Sequence, residues 1–358
     1  MTTLVLSVIV PTHDATSTLE RCLEALEAST LPRDRFEIIV VDDASEDATL
    51  SIAARYADTV IRLPDQPRGP AYARNRGAEI AAAPYLAFVD ADVCVRPDTL
   101  ARLVARLDER PDLAAVIGRY DADGAPEDLV STYRNLRWHH LHGLAAGEVA
   151  TFWAACGAIR ADAFAAAGRF NEWHFSAPPV EDAELGRRLH ARGLHVELEP
   201  ALEVSHLRRW TAGGLLVRDC CQRGVRTARL LRRHGIRLAT PGPRGAGANP
   251  PTELGLFIAA SLVIVSTIFG MHLWTLAIVA AIVIVVESPF VASVGRVRGA
   301  LFAVAMLPLH LLCELVTGTG IAAGWALRHL VGDPRPEPTV EALAEVGART
   351  WPPLPTRL

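Results

Sequence analysis

The chain has 358 residues and a formal net charge of −4, which excludes the overall basicity of a nucleic-acid-binding protein. All 36 basic residues are arginine, so Schiff-base chemistry on a lysine is excluded. The six cysteines (Cys22, Cys94, Cys156, Cys220, Cys221 and Cys313) show no CxxC spacing, and read as reduced, packed thiols of a cytosolic compartment.

Residues 1–250 mix charged and apolar side chains as a soluble α/β domain does. The apolar run 4–10 is short and lacks a preceding positive charge, so it reads as a strand, not a signal peptide. It ends in Pro11-Thr12-His13-Asp14. A helix follows with Leu19, Cys22, Leu23 and Leu26 on one face and Thr16 or Ser17 as N-cap. Residues 36–41 form a second buried strand, ending in Asp42-Asp43. A helix over 45–56, a strand over 60–63, a helix over 72–82 and a strand over 85–89 come next. Strands alternating with helices predict an α/β fold: a mostly parallel Rossmann-like sheet with helices on both faces. Ligands of such sheets bind beyond the carboxyl ends of the strands, where "PTHD", "DDASED" and "DAD" converge.

Beyond residue 110 the pattern loosens, and the blocks 151–170 and 178–193 are the next informative ones. Residues 207–237 carry nine arginines and one acid, Asp219, among leucines and valines. That composition suits an anionic membrane surface, and equally a solvated basic face. Residues 239–251 are a Gly/Pro-rich linker. From 254 to 286 there is no charged residue, and from 299 to 327 only Glu314. A spanning helix needs about 20 residues. The first stretch therefore reads as two short spans turning at Gly270-Met271-His272, with one long tilted helix as the alternative. The loop 287–298, carrying Arg296 and Arg298, is expected on the cytoplasmic side, and 299–316 as a third span interrupted by Pro308. Residues 318–330 either continue it or lie in the interface. The resulting domains are 1–206 (catalytic), 207–252 (basic segment and linker), 253–331 (two to three membrane helices) and 332–358 (Pro-rich tail).

Several residue groups point to chemistry. Asp90 and Asp92, two positions apart at a strand end, can both reach one ligand, and hard carboxylate oxygens suit Mg2+ or Mn2+ bridging to phosphate. A solvated turn accounts for such a pair equally well. Asp42 at a strand terminus can accept from a base or ribose, whereas Glu46 and Asp47 suit the first turn of a helix. Arg68, Arg74 and Arg76 around Gly69 suit a diphosphate, although Arg76 fits a surface helix face as well. Glu181-Asp182 opens a helix, either as dipole-favoured acids or as a general base.

Taken in order, "SVIVPTHDATSTLERCLEAL", "EIIVVDDASEDAT", "GPAYARNRGAEIAAAPYLAFVDADV" and "VEDAELGRRL" resemble the family 2 glycosyltransferases of GT-A fold, over roughly residues 5–210. The resemblance implies nucleotide-sugar contacts at Pro11, Thr12, Asp14, Asp42, Arg74 and Asp90. It implies a DxD element whose Asp92 is the leading metal ligand, with Asp90 and His206 beside it, and Asp182 as catalytic base. "HLRRW", with Arg209 and Trp210, is similar to the QxxRW signature of processive members, with His206 in place of Gln. The acceptor loop corresponds to "AACGAIR" around Cys156 and Gly157, with Glu181 on the same side. The implied protein is a membrane-anchored, inverting glycosyltransferase using a divalent cation, a nucleotide-diphosphate sugar and a lipid or glycan acceptor. It is expected in the plasma membrane as a multi-pass protein with a cytoplasmic catalytic domain. A nucleotidyltransferase is the competing enzyme class, but "PTHDATS" lacks the basic Gly-rich loop that one would use. An inactive membrane scaffold is the non-enzymatic alternative, against which the joint presence of "DAD" and "ED" argues.

Overall fold

The computed structural model describes residues 3–64, 66–124, 126–172, 180–233 and 273–331. Its first half alternates as the periodicity predicts: β1 (Leu6–Thr12), α1 (Leu19–Glu27), β2 (Phe36–Asp42), α2 (Thr49–Tyr56), β3 (Thr59–Arg62), α3 (Pro70–Ile80) and β4 (Tyr85–Val89). There follow β5 (Val93–Val95), α4 (Thr99–Glu109), β6 (Leu113–Tyr120), α5 (Leu129–Gly143), β7 (Gly147–Val149), β8 (Cys156–Arg160), α6 (Ala161–Ala166), α7 (Glu181–Ala191) and β9 (His195–His206).

Among the described residues the strands make one sheet, ordered β3-β2-β1-β4-β8-β6-β9-β5, with β7 on β9. The β3-β2-β1-β4 half is parallel. Beyond it, β8 runs antiparallel to both β4 and β6, so the second half is mixed. Strands covered on both faces read as continuous apolar runs, and every residue of β1 is buried. The α1 stripe Leu19, Cys22, Leu23 and Leu26 is buried as its period requires. Thr16 and Ser17 do not cap α1; Thr18 precedes it, without a side-chain cap bond.

Two registers build the site. β1 and β2 end level, Thr12 opposite Asp42. β4 runs beside β1 in the register Ile9↔Phe88, so Asp90 leaves the sheet next to Pro11.

After β9 the chain turns through α8 (Ala212–Gly214), a π-helical stretch (Leu215–Gln222) and α9 (Arg223–Arg233). Described structure resumes with α10 (Leu273–Arg298), α11 (Ala300–Ala305) and α12 (Leu307–Val331). The expected turn at 270–272 and the residues from 254 up to it lie outside the described residues. Residues 287–298, expected as a loop, are helical and complete α10. Pro308 does not interrupt a span. It sits in the first turn of α12, where its missing N–H is not needed, and α12 runs on through 318–330. Among the described residues one helix is long and apolar enough to cross a membrane, Leu307–Ala326, so the described helices do not supply the several spans expected.

These helices pack on α5 through Tyr133, Leu136, Phe290, Met306 and Cys313. Polar ties cross the same contact: Tyr133 Oη to His310 Nδ1 at 3.1 Å, His310 Nε2 to Glu287 Oε2 at 2.7 Å, and Arg137 to Glu314 at 2.6 Å. α9 and α12 cross at backbone contact, since a Cβ on Gly224 would collide with the Thr317 carbonyl.

Candidate active site

A cleft of ≈ 990 Å³ opens at the carboxyl ends of β1 and β4. Pro11, Thr12 and Asp14 line it from β1 and its following turn, Asp90 and Asp92 from the β4–β5 turn, Asp182 from α7, and His206, Arg209 and Trp210 from the end of β9.

Asp90 and Asp92 do not share a strand face, because β4 ends at Val89 and the two acids occupy a turn. The turn gives them different partners. The Arg74 guanidinium donates to Asp90 Oδ1 at 2.7 Å and to Glu181 Oε1 at 2.9 Å. Asp92 Oδ2 faces His206 Nε2 at 3.6 Å. Strand pairing explains that approach: β5 lies antiparallel to β9 with Val93 opposite His206, and Leu207 N donates to the Asp92 carbonyl at 2.8 Å.

The charges differ accordingly. Burial pushes Asp90 up to about 6, against the pull of Arg74. Burial acts on Asp92 too, but His206, Arg208 and Arg134 outweigh it and hold that carboxyl down at about 2. Burial, then the neighbouring Arg134, lowers the His206 pKa, while Asp92 pulls it the other way. The cleft therefore presents an ionised carboxylate and an imidazole side by side. These are two donors a divalent cation accepts, leaving other positions for phosphate and water. Asp90 is engaged by Arg74, and among the described residues no three His, Cys, Asp or Glu side chains form a ready metal cluster.

Asp182 stands in the first turn of α7. Its Oδ1 accepts from Ala183 N at 2.7 Å and its Oδ2 from Ala154 N at 3.5 Å. Burial, then the Glu181 charge, raises its pKa to about 7. Gly186 lets α7 lie directly on the loop that faces Asp182: a Cβ there would collide with Phe152 N and the Thr151 main chain.

Arg74 and Glu181 are buried and bound to each other, so Arg74 ties the "DAD" turn to α7 and is not free to hold a diphosphate. Glu181 is likewise bound to Arg74, and both residues line the cleft. Asp42 is fully buried and does not line the cleft. Its Oδ2 accepts weakly from Ser45 N at 3.4 Å, and its Oδ1 has no partner among the described residues. Thr12 Oγ1, in the cleft wall, is unpartnered in the same way. Asp47 holds the turn after β1 to α2, accepting from Thr16 Oγ1 and Thr49 N. Cys156 and Gly157 are buried in β8, where they pair with Val89 and Phe88, and they do not line the cleft. The chain segment that does is the preceding one, Thr151, Phe152 and Trp153.

Sequence reasoning missed Arg134, and that the basic stretch after β9 turns toward the cleft. Arg134 on α5 stacks on Trp210 at 4.5 Å and approaches His206 Nδ1 at 3.4 Å. Arg208, Arg209, Arg218, Arg223 and Arg226 all line the cleft, so much of the basic 207–237 stretch faces the site. Its dense arginine content was the visible signal; the direction it faces was not.

Residues 7–167 match the family model described as glycosyl transferase family 2. Validoxylamine A glucosyltransferase of Streptomyces hygroscopicus subsp. jinggangensis is 28% identical over 255 residues, 62% of this chain and 60% of that protein. The chain thus spans about 60% of the length of this curated relative. Among solved structures, the mannosyltransferase PcManGT from Pyrobaculum calidifontis, in complex with GDP-Man and Mn2+, superposes with a TM-score of 0.52 at 22% identity, over 92% of this chain and 88% of that one. Staphylococcus aureus TarS 1–349 with UDP-GlcNAc gives 0.50 at 16% identity, over 94% and 95%. These likenesses show a shared GT-A fold.

Proposed function

We propose that this chain, whose N-terminal domain belongs to the family 2 glycosyltransferases, transfers a sugar with inversion from a nucleotide-diphosphate donor to a hydroxyl acceptor in the cleft described above. The observation that carries the reading is the placement of two differently charged acids in one cleft. Asp92 is held ionised beside His206, and Asp182 is poised with a pKa of about 7 on the facing helix.

The donor nucleotide enters at Pro11, Thr12 and Asp14, where the unpartnered Thr12 Oγ1 in the cleft wall is a polar atom that a base or ribose can satisfy. Asp92 and His206 are the residues that would hold a divalent cation, Mn2+ or Mg2+. Bound there, the ion supplies charge stabilisation for the departing diphosphate. Arg74 keeps Asp90 and Glu181 paired, so that Asp182 is the acid left to act. Asp182 takes the proton from the acceptor hydroxyl as its oxygen bonds to the anomeric carbon. The glycosidic bond to the diphosphate breaks on the opposite face, and a nucleoside diphosphate leaves. A base works best with a pKa near the operating pH, which fits about 7.

Membrane attachment is part of the proposal. α10, α11 and α12 turn Ile284, Val285, Leu301, Val304, Leu311 and Leu312 outward, an apolar surface suited to lipid. The cytoplasmic leaflet of the plasma membrane is the proposed location, with a lipid or glycan precursor as acceptor.

Purified full-length protein incubated with UDP, GDP and dTDP sugars and Mn2+ is expected to release a nucleoside diphosphate from at least one of them. Pyrophosphate release would instead mean nucleotidyl transfer, and no release from any donor would leave the scaffold reading.

A further inference from the structure

α7 brings a second charged group into the cleft. Arg187 lies one helical turn beyond Ala183 on the same face, and both line the cleft together with Asp182. Arg187 is partly buried and has no carboxylate partner among the described residues. The other buried guanidiniums nearby are matched: Arg74 with Asp90 and Glu181, Arg223 with Asp219, and Arg188 with Glu184. Burial unrelieved by any counter-charge lowers the Arg187 pKa. Withdrawing a cation from water without a partner is costly, and an anion that enters the cleft repays that cost.

Which anion follows from position. The donor diphosphate belongs at the Asp92–His206 end of the cleft, whereas Asp182 must face the attacking hydroxyl. A group held one turn further along α7 therefore sits on the acceptor. Arg218, exposed and lining the same cleft from the π-helical stretch, also has no carboxylate partner among the described residues. Two guanidiniums offer more donors than the two oxygens of a carboxylate accept, and a phosphate ester presents three.

We propose that Arg187 is an acceptor-specificity residue that binds a phosphate group carried by the acceptor near its attacking hydroxyl. This rests on the glycosyl-transfer reading above and names the substrate class of the same site. The phosphate belongs either to a soluble sugar or polyol phosphate or to a lipid headgroup, and both present the same oxygens to the guanidinium.

The test is equilibrium binding to the full-length protein in detergent with Mn2+, using glycerol 3-phosphate as the soluble probe and dodecyl phosphate in micelles as the lipid probe. Wild type is expected to bind at least one of them, and the probe it prefers identifies the source. Arg187→Gln is expected to weaken that binding about tenfold or more, the scale of a lost charge-assisted hydrogen bond. Arg187→Lys keeps the charge without the fork and is expected to lose less, which separates recognition from misfolding. Glycerate, carrying a carboxylate instead, is expected to bind more weakly than glycerol 3-phosphate. The proposal is overturned if wild type binds neither phosphate, if glycerate binds equally well, or if Arg187→Gln binds like wild type. It is also overturned if UDP or GDP affinity falls as much as probe affinity, which would assign Arg187 to the donor. Failure of the glycosyl-transfer reading is distinguished in wild type alone, as absence of nucleoside diphosphate release from every nucleotide sugar.

Discussion

Asp182 unites two roles that pull against each other. Its carboxylate is disfavoured by burial and by Glu181, so the native state holds a proton there up to about pH 7, whereas the unfolded chain releases it near 3.8. Native protein therefore binds more protons than unfolded protein between those values, and this group makes stability fall as pH rises from about 4 to about 7. Asp182→Asn is expected to remove that slope and to melt no lower than wild type at pH 8. Its turnover should drop about 10²- to 10⁴-fold while donor affinity holds. In wild type, kcat/KM is expected to rise with pH and level off above about 7, the limb Asp182 imposes. A variant that melts lower and turns over normally would make Asp182 a helix-end acid only. For Asp92, removal of the carboxylate by Asp92→Ala, or of the cation by EDTA, is expected to abolish turnover with the fold intact; full activity in either would remove the metal role. Arg74→Met leaves Asp90 and Glu181 as two buried acids with no cation between them. Removing one partner of a buried ion pair costs about 3–5 kcal/mol. Denaturation is expected to show a loss of that order at pH 7 and a smaller one at pH 5, where protonation of Asp90 relieves the repulsion; equal losses at both would mean that Arg74 acts by packing alone.

At the scale of elements, α7 and α5 set the shape of the cleft. α7 reaches the Thr151–Phe152 backbone only because Gly186 has no side chain. Gly186→Ala puts a methyl group into main chain that cannot rotate away, and overpacking of this kind costs about 1–3 kcal/mol. Urea denaturation is expected to show that loss together with reduced turnover, because Asp182 rides on the displaced helix. Unchanged turnover would mean that the loop and α7 move together. α5 has two loyalties. Arg134 and Trp138 turn toward the cleft, while Tyr133 and Arg137 bond to His310 and Glu314 on α12. Residues three and four apart on one helix thus join the sheet domain to the apolar helices.

At the scale of the molecule, the sheet domain and the apolar helices share one packed contact, and those helices turn large apolar side chains outward. Ile284 and Val285 on α10, Leu301 and Val304 on α11, and Leu311 and Leu312 on α12 would all meet water in a protein free in solution. The full-length protein is expected to stay in the membrane pellet through high-salt and carbonate washes. Release by either wash would show that the arginine-rich surface, not the apolar helices, makes the attachment. Five of the arginines after β9 line the cleft, so their contribution to surface binding is correspondingly smaller.

The sequence alone determined the elements whose causes are local. Continuous apolar runs marked β1, β2 and β4 because covered parallel strands need no polar face, and the spacing of Leu19, Cys22, Leu23 and Leu26 marked the buried side of α1. The polar strand ends located the cleft, and the ordered motifs pointed to Asp92 and Asp182, both of which line it. Tertiary structure alone decided which acid meets which partner. Asp90 and Asp92 are two residues apart, yet one pairs with Arg74 and the other with His206, through an ion pair within α/β units and a strand that arrives 114 positions later. Arg74 reads as a phosphate ligand until Glu181, 107 residues away, folds against it. Cys156 reads as a loop residue until β8 inserts between β4 and β6. The arginines of 207–237 carry no sign in their own sequence of the face they will present, because that direction is set by where α12 crosses α9. Backbone pattern is written locally, whereas the charge state and partner of a buried ionisable group depend on every element packed against it.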